Sequence, residues 1–253
     1  MSGSIDVERQ DNVAVVTLRN EAKKNALDPE MLDALVAALG RLPGEGARAV
    51  VLTGAGDIFS SGYDIAALPS GAAPSANPMG AALAALSDGP LPVVAALNGV
   101  AIGGGCELAA TCDLRVAHDA VTLTMPPVRL GLIYSPAGLR RFVALCGMSR
   151  TRELFLTAQP VPAARALGWG LIDRVVPKGE VLATATALAT EIAKGAPLAV
   201  AGTRRALELL QPPIEAGALT EIAADLQRAW MSEDAAEARV AFREKRKPQF
   251  KGR

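Results

Sequence analysis

The chain has 253 residues, with 26 lysines plus arginines balanced by 26 aspartates plus glutamates, so its formal net charge is zero. Half of it is hydrophobic, which supports a sizeable core and excludes a disordered chain, and the charge balance excludes a general nucleic-acid field. Cys106, Cys112 and Cys146 form no CxxC pair, which argues against a disulfide scaffold or zinc ribbon. The single histidine, His118, rules out His-rich metal sites.

The opening MSGSIDVERQ has no basic stretch leading into an apolar one, so no signal peptide is expected. β-branched Val13–Leu18 predicts a strand. Asp28 followed by Pro29 predicts an N-cap and first turn for a helix over Pro29–Leu42. Arg48–Thr53 predicts a second strand, closed by Gly54-Ala55-Gly56-Asp57. Ile65–Ser87 is uncharged and rich in Ala, Pro, Gly and Ser. Its first half reads as a mobile loop and Met79–Leu86 as a short helix; a long loop in a compact domain is more often functional than accidental.

Residues 89–106 carry no charge and have the length of a membrane span. Pro90, Pro92, Asn98 and the glycines favour instead a buried strand over Val93–Leu97, a turn, and a helix from Gly104 to Cys112. Leu114–Ala117 predicts a fourth strand, and His118 beside Asp119 reads as a solvent-facing turn residue. From Met148 the pattern turns helical, over Ser149–Thr157, Ala163–Leu167, Glu180–Lys194, Pro197–Leu210, Ile214–Trp230 and Ser232–Lys245. An α/β core over residues 1–195 and an α-helical section over 196–253 are expected. The tail has apolar faces at Ile222, Leu226 and Trp230 and at Ala235, Ala238 and Phe242, suited to covering the same chain or a neighbouring subunit. A soluble, cytoplasmic protein with reduced thiols and no membrane segment is expected.

The sequence holds no P-loop, no GxSxG and no GxGxxG fingerprint. What stands out are two glycine-bearing strand ends, Phe59-Ser60-Ser61-Gly62-Tyr63-Asp64-Ile65 and Asn98-Gly99-Val100-Ala101-Ile102-Gly103-Gly104-Gly105-Cys106-Glu107. Glycines at such junctions let a ligand approach the main chain, and a helix N-terminus leaves free N–H groups with partial positive charge. One donor from each segment can grip a single oxygen, as an oxyanion hole does; each segment alone is also what an ordinary tight turn looks like.

Together with Lys24-Asn25-Ala26-Leu27 and the tail Ala241-Phe242-Arg243-Glu244-Lys245-Arg246-Lys247-Pro248, these segments resemble the crotonase superfamily, the enoyl-CoA hydratase/isomerase family, over nearly the whole chain. The resemblance implies a spiral of β-β-α units with an α-helical C-terminal trimerisation section, assembled as a homotrimer or a dimer of trimers. It implies an acyl-CoA thioester as substrate, an enolate stabilised at the thioester, and no cofactor beyond the coenzyme A carried by the substrate. By position, the backbone N–H groups of Tyr63 and Gly104 are the oxyanion donors. Lys24, Ala26, Leu27, Ser61, Gly62, Asp64, Ile65 and Gly103 fall along the CoA and acyl site, as do Pro127 and Leu132. Phe242 and Lys245 fall where a neighbouring subunit covers the nucleotide end, and a solvated helix end carries the same residues.

Glu107 falls on one of the family's two catalytic glutamates; an acid there is also favourable through the helix dipole alone. The second glutamate position holds Pro127, so hydration or isomerisation divided between two carboxylates lacks one partner. A narrower resemblance, to methylmalonyl-CoA decarboxylases within the family, covers Ser61–Ile65, Leu68-Pro69-Ser70-Gly71 and Leu130-Gly131-Leu132-Ile133-Tyr134. It departs at Tyr63, where those enzymes have histidine, and at Pro126, where they have threonine. It implies that Tyr134 orients a departing carboxylate; a tyrosine there also suits a pocket or core role. Three functions are compatible with these residues: a decarboxylase of malonyl-type acyl-CoA using Tyr63, Gly104 and Tyr134; a hydratase or isomerase working with Glu107 alone; and an acyl-CoA-binding protein with little catalysis.

Overall fold

The computed structural model describes residues 2–64, 79–211 and 213–252; the loop expected over 65–78 lies outside them. A six-stranded sheet runs in the order β1-β2-β3-β4-β6-β9, with β1 (Ser4–Gln10), β2 (Val13–Arg19), β3 (Ala49–Gly54), β4 (Val93–Leu97), β6 (Leu114–His118) and β9 (Arg174–Val176). Only the β1–β2 pair is antiparallel. Strands β3 and β4 are buried along their whole length, which is why they read as unbroken apolar runs rather than alternating ones.

Their two faces meet different partners. Val15, Val51, Val94, Ala96 and Val116 pack with Val181, Ala185 and Ala189 of α6 (Val181–Ala193). Val16, Leu52, Ala95 and Leu97 face the larger core with Met31, Leu32 and Leu35 of α1 (Pro29–Arg41). Asp28 caps α1, its Oδ1 accepting from the Met31 amide at 2.9 Å, as the Asp-Pro signal predicts. Helix α2 (Met79–Ser87) and α3 (Gly104–Thr111) lie where the sequence places them.

A small second sheet, β5-β7-β8, joins Ala101–Ile102, Thr122–Thr124 and Val161–Pro162. Helix α4 (Pro136–Thr157) bends at Gly147 and α5 covers Ala163–Trp169. Residues after 196 form α7 (Pro197–Leu209), α8 (Ala216–Met231) and α9 (Glu233–Arg243). Arg204 of α7 donates to Asp113 Oδ1 at 2.6 Å and to the carbonyls of Gly89 and Leu86 at 2.5 and 2.7 Å, fastening α7 to the end of α2. Among the described residues, no helix is long and apolar enough to cross a membrane.

Two sequence expectations, on His118 and on the start of α4, are corrected by the structure, and one strand, β1, was not foreseen. His118 is not a solvent-facing turn residue: it ends β6, is buried, and its Nε2 lies 3.2 Å from the Asn98 carbonyl. The polar segment Ser4–Gln10 forms an edge strand on β2, held by seven residues of register rather than by an apolar run. Helix α4 starts twelve residues before Met148, at Pro136, capped by the Ser135 hydroxyl, which accepts from the Gly138 amide at 3.1 Å.

Candidate active site

The site lies beyond the carboxyl ends of β3 and β4, where ligands bind in parallel sheets. Asn98, just past β4, ties the two strand ends together: its Nδ2 donates to the Gly54 and Gly56 carbonyls at 2.8 and 2.7 Å. Asn25 does the same one layer out, donating to the Ala55 and Ile58 carbonyls at 2.9 and 2.8 Å while its own carbonyl accepts from Ser60 Oγ at 2.8 Å.

Three extended segments are thereby laid side by side. Leu27 pairs in parallel with Tyr63, and Ser60 with Ala101. Leu27 N–H donates to the Gly62 carbonyl at 2.8 Å and the Leu27 carbonyl accepts from Asp64 N–H at 2.9 Å. The Tyr63 N–H therefore points to the opposite side, toward residues 101–104. Gly62 (φ 93°) and Gly103 (φ 52°) take left-handed conformations that an L side chain resists, and each turns the chain just before a donor amide.

A Cβ built on Gly104 falls 3.3 Å from the Tyr63 nitrogen, and one built on Gly62 falls 3.3 Å from the Gly104 nitrogen. A Cβ lies about 2.5 Å from its own nitrogen, so the two nitrogens are at most about 6 Å apart. Neither amide donates to another group among the described residues, and Gly104 opens α3, whose dipole favours negative charge there. The Met79 side chain closes one side of this space, 3.4 Å from the same constructed Cβ.

The other expected residues divide clearly. Lys24, Ala26, Leu27, Ser61, Gly62, Tyr63, Asp64, Gly103 and Gly104 are brought together by the pairings above, with Ser61 N–H on the Lys24 carbonyl at 3.0 Å. Asp64 pairs with Lys23 at 2.8 Å. Ile65 lies outside the described residues. Pro127 is buried at the start of a 3-10 turn over Pro127–Leu130, and its carbonyl accepts from the Leu132 amide at 3.0 Å. Phe242 and Lys245 are exposed near the end of α9; among the described residues, no hydrogen bond or ion pair links either to the site.

Glu107 is buried in the first turn of α3. Its Oε2 accepts the Tyr134 hydroxyl, and its Oε1 faces Arg141 Nη1 at 3.4 Å. Burial raises the Glu107 carboxyl above the ordinary carboxylate range, against the opposing pull of the Tyr134 hydrogen bond and the Arg141 charge. Burial, then the Glu107 charge, pushes the Tyr134 phenol well above its usual value, so Tyr134 keeps its proton. The Tyr134 ring packs on Phe155 with centroids 5.3 Å apart. A Cβ on Gly138 would come within 2.6 Å of both Glu107 Oε1 and the Tyr134 ring; glycine there leaves room for the pair. Arg141 and Gly138 escaped the sequence reading; they lie i, i+3 on α4, one helical turn apart, while Tyr134 sits just before that helix.

The fold is that of the crotonases, and the chain belongs to the enoyl-CoA hydratase/isomerase family, whose model matches residues 8–253. It is 34% identical over 252 residues to Probable enoyl-CoA hydratase echA6 of Mycobacterium bovis, covering 98% of this chain and 99% of that one. It is 34% identical to carnitinyl-CoA dehydratase of Salmonella arizonae over the full length of both. Among solved structures, methylmalonyl-CoA decarboxylase in complex with 2-nitronate-propionyl-CoA superposes with a TM-score of 0.94 at 31% identity, covering 99% of each chain.

Proposed function

We propose that this enzyme decarboxylates a malonyl-type acyl-CoA, holding the resulting thioester enolate between the Tyr63 and Gly104 amides. The observation that carries this reading is the carboxylate inventory. Across residues 24–27, 60–64, 101–107 and 124–134 the acids are Asp64 and Glu107; Asp64 is spent on Lys23, and Pro127 supplies neither acid nor base. Losing carbon dioxide generates the enolate without a base, so one carboxyl suffices. Two preorganised donors favour the charge that develops on the thioester oxygen. Tyr134, protonated and half-buried, serves as donor to the departing carboxylate. Coenzyme A enters as part of the substrate, along Lys24–Leu27 and Ser61–Asp64.

Hydration by Glu107 alone is the second reading. It is favoured by the carboxyl's raised proton affinity, which suits an acid that protonates carbon, and by the resemblance to a hydratase and a dehydratase. Methylmalonyl-CoA and crotonyl-CoA assayed in parallel separate the two: release of carbon dioxide without hydration is expected, and hydration without release rejects the decarboxylase. Tight binding of both with neither product would leave an acyl-CoA-binding protein.

The homotrimer or dimer of trimers belongs to the same proposal. It is supported by the exposed apolar residues of the helical section, such as Leu198, 90% exposed, and Leu209, 72% exposed. Sedimentation of the full chain tests it.

A further inference from the structure

Tyr134 has one O–H, and Glu107 already holds it. If the site decarboxylates a malonyl-type acyl-CoA, the reading on which this inference rests, substrate brings a second carboxylate to the same hydroxyl. Among the described residues, the groups that act on this pair are Cys106 and Glu107 from α3, Tyr134 from the segment before α4, and Arg141 from α4. Arg141 brings one positive charge, at 3.4 Å from Glu107 Oε1. With substrate bound, two carboxylates would then face one cation and one O–H donor beside a buried Glu107. Carboxylates crowded together cannot both stay ionised, and such a pair takes up a proton.

We infer that binding of a carboxylate-bearing acyl-CoA draws one proton into the site, onto Glu107, before carbon dioxide leaves. The hydrogen bonds then run in one direction: the Glu107 acid donates to the Tyr134 oxygen, and the Tyr134 O–H donates to the substrate carboxylate. The C–C bond to that carboxylate breaks and its electron pair enters the enolate. Carbon dioxide departs, and the enolate carbon takes a proton as Glu107 returns to carboxylate. Overall one carboxylate and one proton become one C–H bond and carbon dioxide. The stoichiometry fixes that a proton is consumed; the shared hydroxyl fixes when it enters. Burial of Glu107 works in the same direction, because it already favours the neutral acid.

Calorimetric titration at pH 8 in buffers of different ionisation enthalpy reads the proton directly. The probes are 2-carboxypropyl-CoA, which keeps a carboxylate but has no thioester carbonyl, and propyl-CoA, which has neither. Uptake of about one proton per site is expected with the first and none with the second. In Glu107→Gln the uptake with 2-carboxypropyl-CoA is expected to vanish. Tight binding of 2-carboxypropyl-CoA to the unaltered enzyme without proton uptake overturns the inference, and that comparison needs no variant to fold. Carbon dioxide release from methylmalonyl-CoA is followed alongside. Release without uptake on binding defeats the inference and leaves the decarboxylase standing, whereas no release removes both.

Discussion

Replacing Gly104 by alanine separates the chemistry of this pocket from its folding. The added methyl falls 3.3 Å from the Tyr63 nitrogen and 3.4 Å from the Met79 sulfur. It therefore sits where an oxygen accepting from Tyr63 would have to lie, since such an acceptor needs a distance of about 2.7–3.1 Å. Loss of one oxyanion donor costs about 2.7–4 kcal/mol, or roughly 100- to 1,000-fold in rate. The fold should hardly notice. Gly104 is the first residue of α3 and lacks a left-handed φ, and alanine is favoured over glycine in a helix by up to about 1 kcal/mol, which offsets the tight contacts. The assay pairs kcat/KM for propionyl-CoA formation from methylmalonyl-CoA with thermal unfolding of the same preparation. A fall of at least 100-fold with little change in Tm is expected. Activity within about threefold of the unaltered enzyme would refute the reasoning, because an oxyanion hole placed there could not tolerate a methyl between its two amides.

Three other substitutions have different signatures. Gly62→Ala puts a Cβ 2.5 Å from the Ile102 carbonyl oxygen at φ 93°, so a loss of at least about 1–3 kcal/mol in denaturant unfolding is expected, the opposite pattern to Gly104→Ala. Arg204→Ala removes three strong hydrogen bonds and leaves Asp113 without its cation; a loss of about 2–4 kcal/mol is expected, with protease cleavage in α7 appearing early because α7 buries none of its residues fully. Glu107→Gln changes how stability depends on pH. The folded-state proton affinity of Glu107 is raised by burial, so its contribution is most favourable below the unfolded value of about 4.3 and is lost as pH rises through the raised folded value. Urea unfolding across about pH 4.5–8 should show the unaltered protein losing stability relative to Glu107→Gln as pH climbs; a pH-independent difference would contradict a raised Glu107.

The apolar strands were legible because their burial on both faces leaves nothing else for residues such as Val50, Val51 and Leu52 to be. The N-cap at Asp28 was legible because Asp-Pro combines a side-chain acceptor with a preset φ. Edge strand β1 was not, since Glu8, Arg9 and Gln10 face solvent and only Ile5 and Val7 pack on the core. The two- and three-residue strands of the small sheet are too short to carry a period. His118 misled because a histidine beside Asp119 looks like turn chemistry, while its burial comes from the Asn98 carbonyl, twenty residues away in sequence. Of the candidate site, the two glycine-bearing bends were legible as backbone features. The shared hydrogen bond between Glu107 and Tyr134, and the Gly138 that makes room for it, depend on α4 crossing α3, which local spacing does not encode.

The most direct measurement is a crystal structure of this enzyme with a stable acyl-CoA thioester analogue bound. The expected result is a thioester oxygen accepting from the amides of Tyr63 and Gly104 together, each at about 2.7–3.1 Å, with the acyl carbon alpha to it facing Glu107 and Tyr134. A thioester oxygen bonded to neither amide, or an acyl chain lodged away from Glu107, would contradict it.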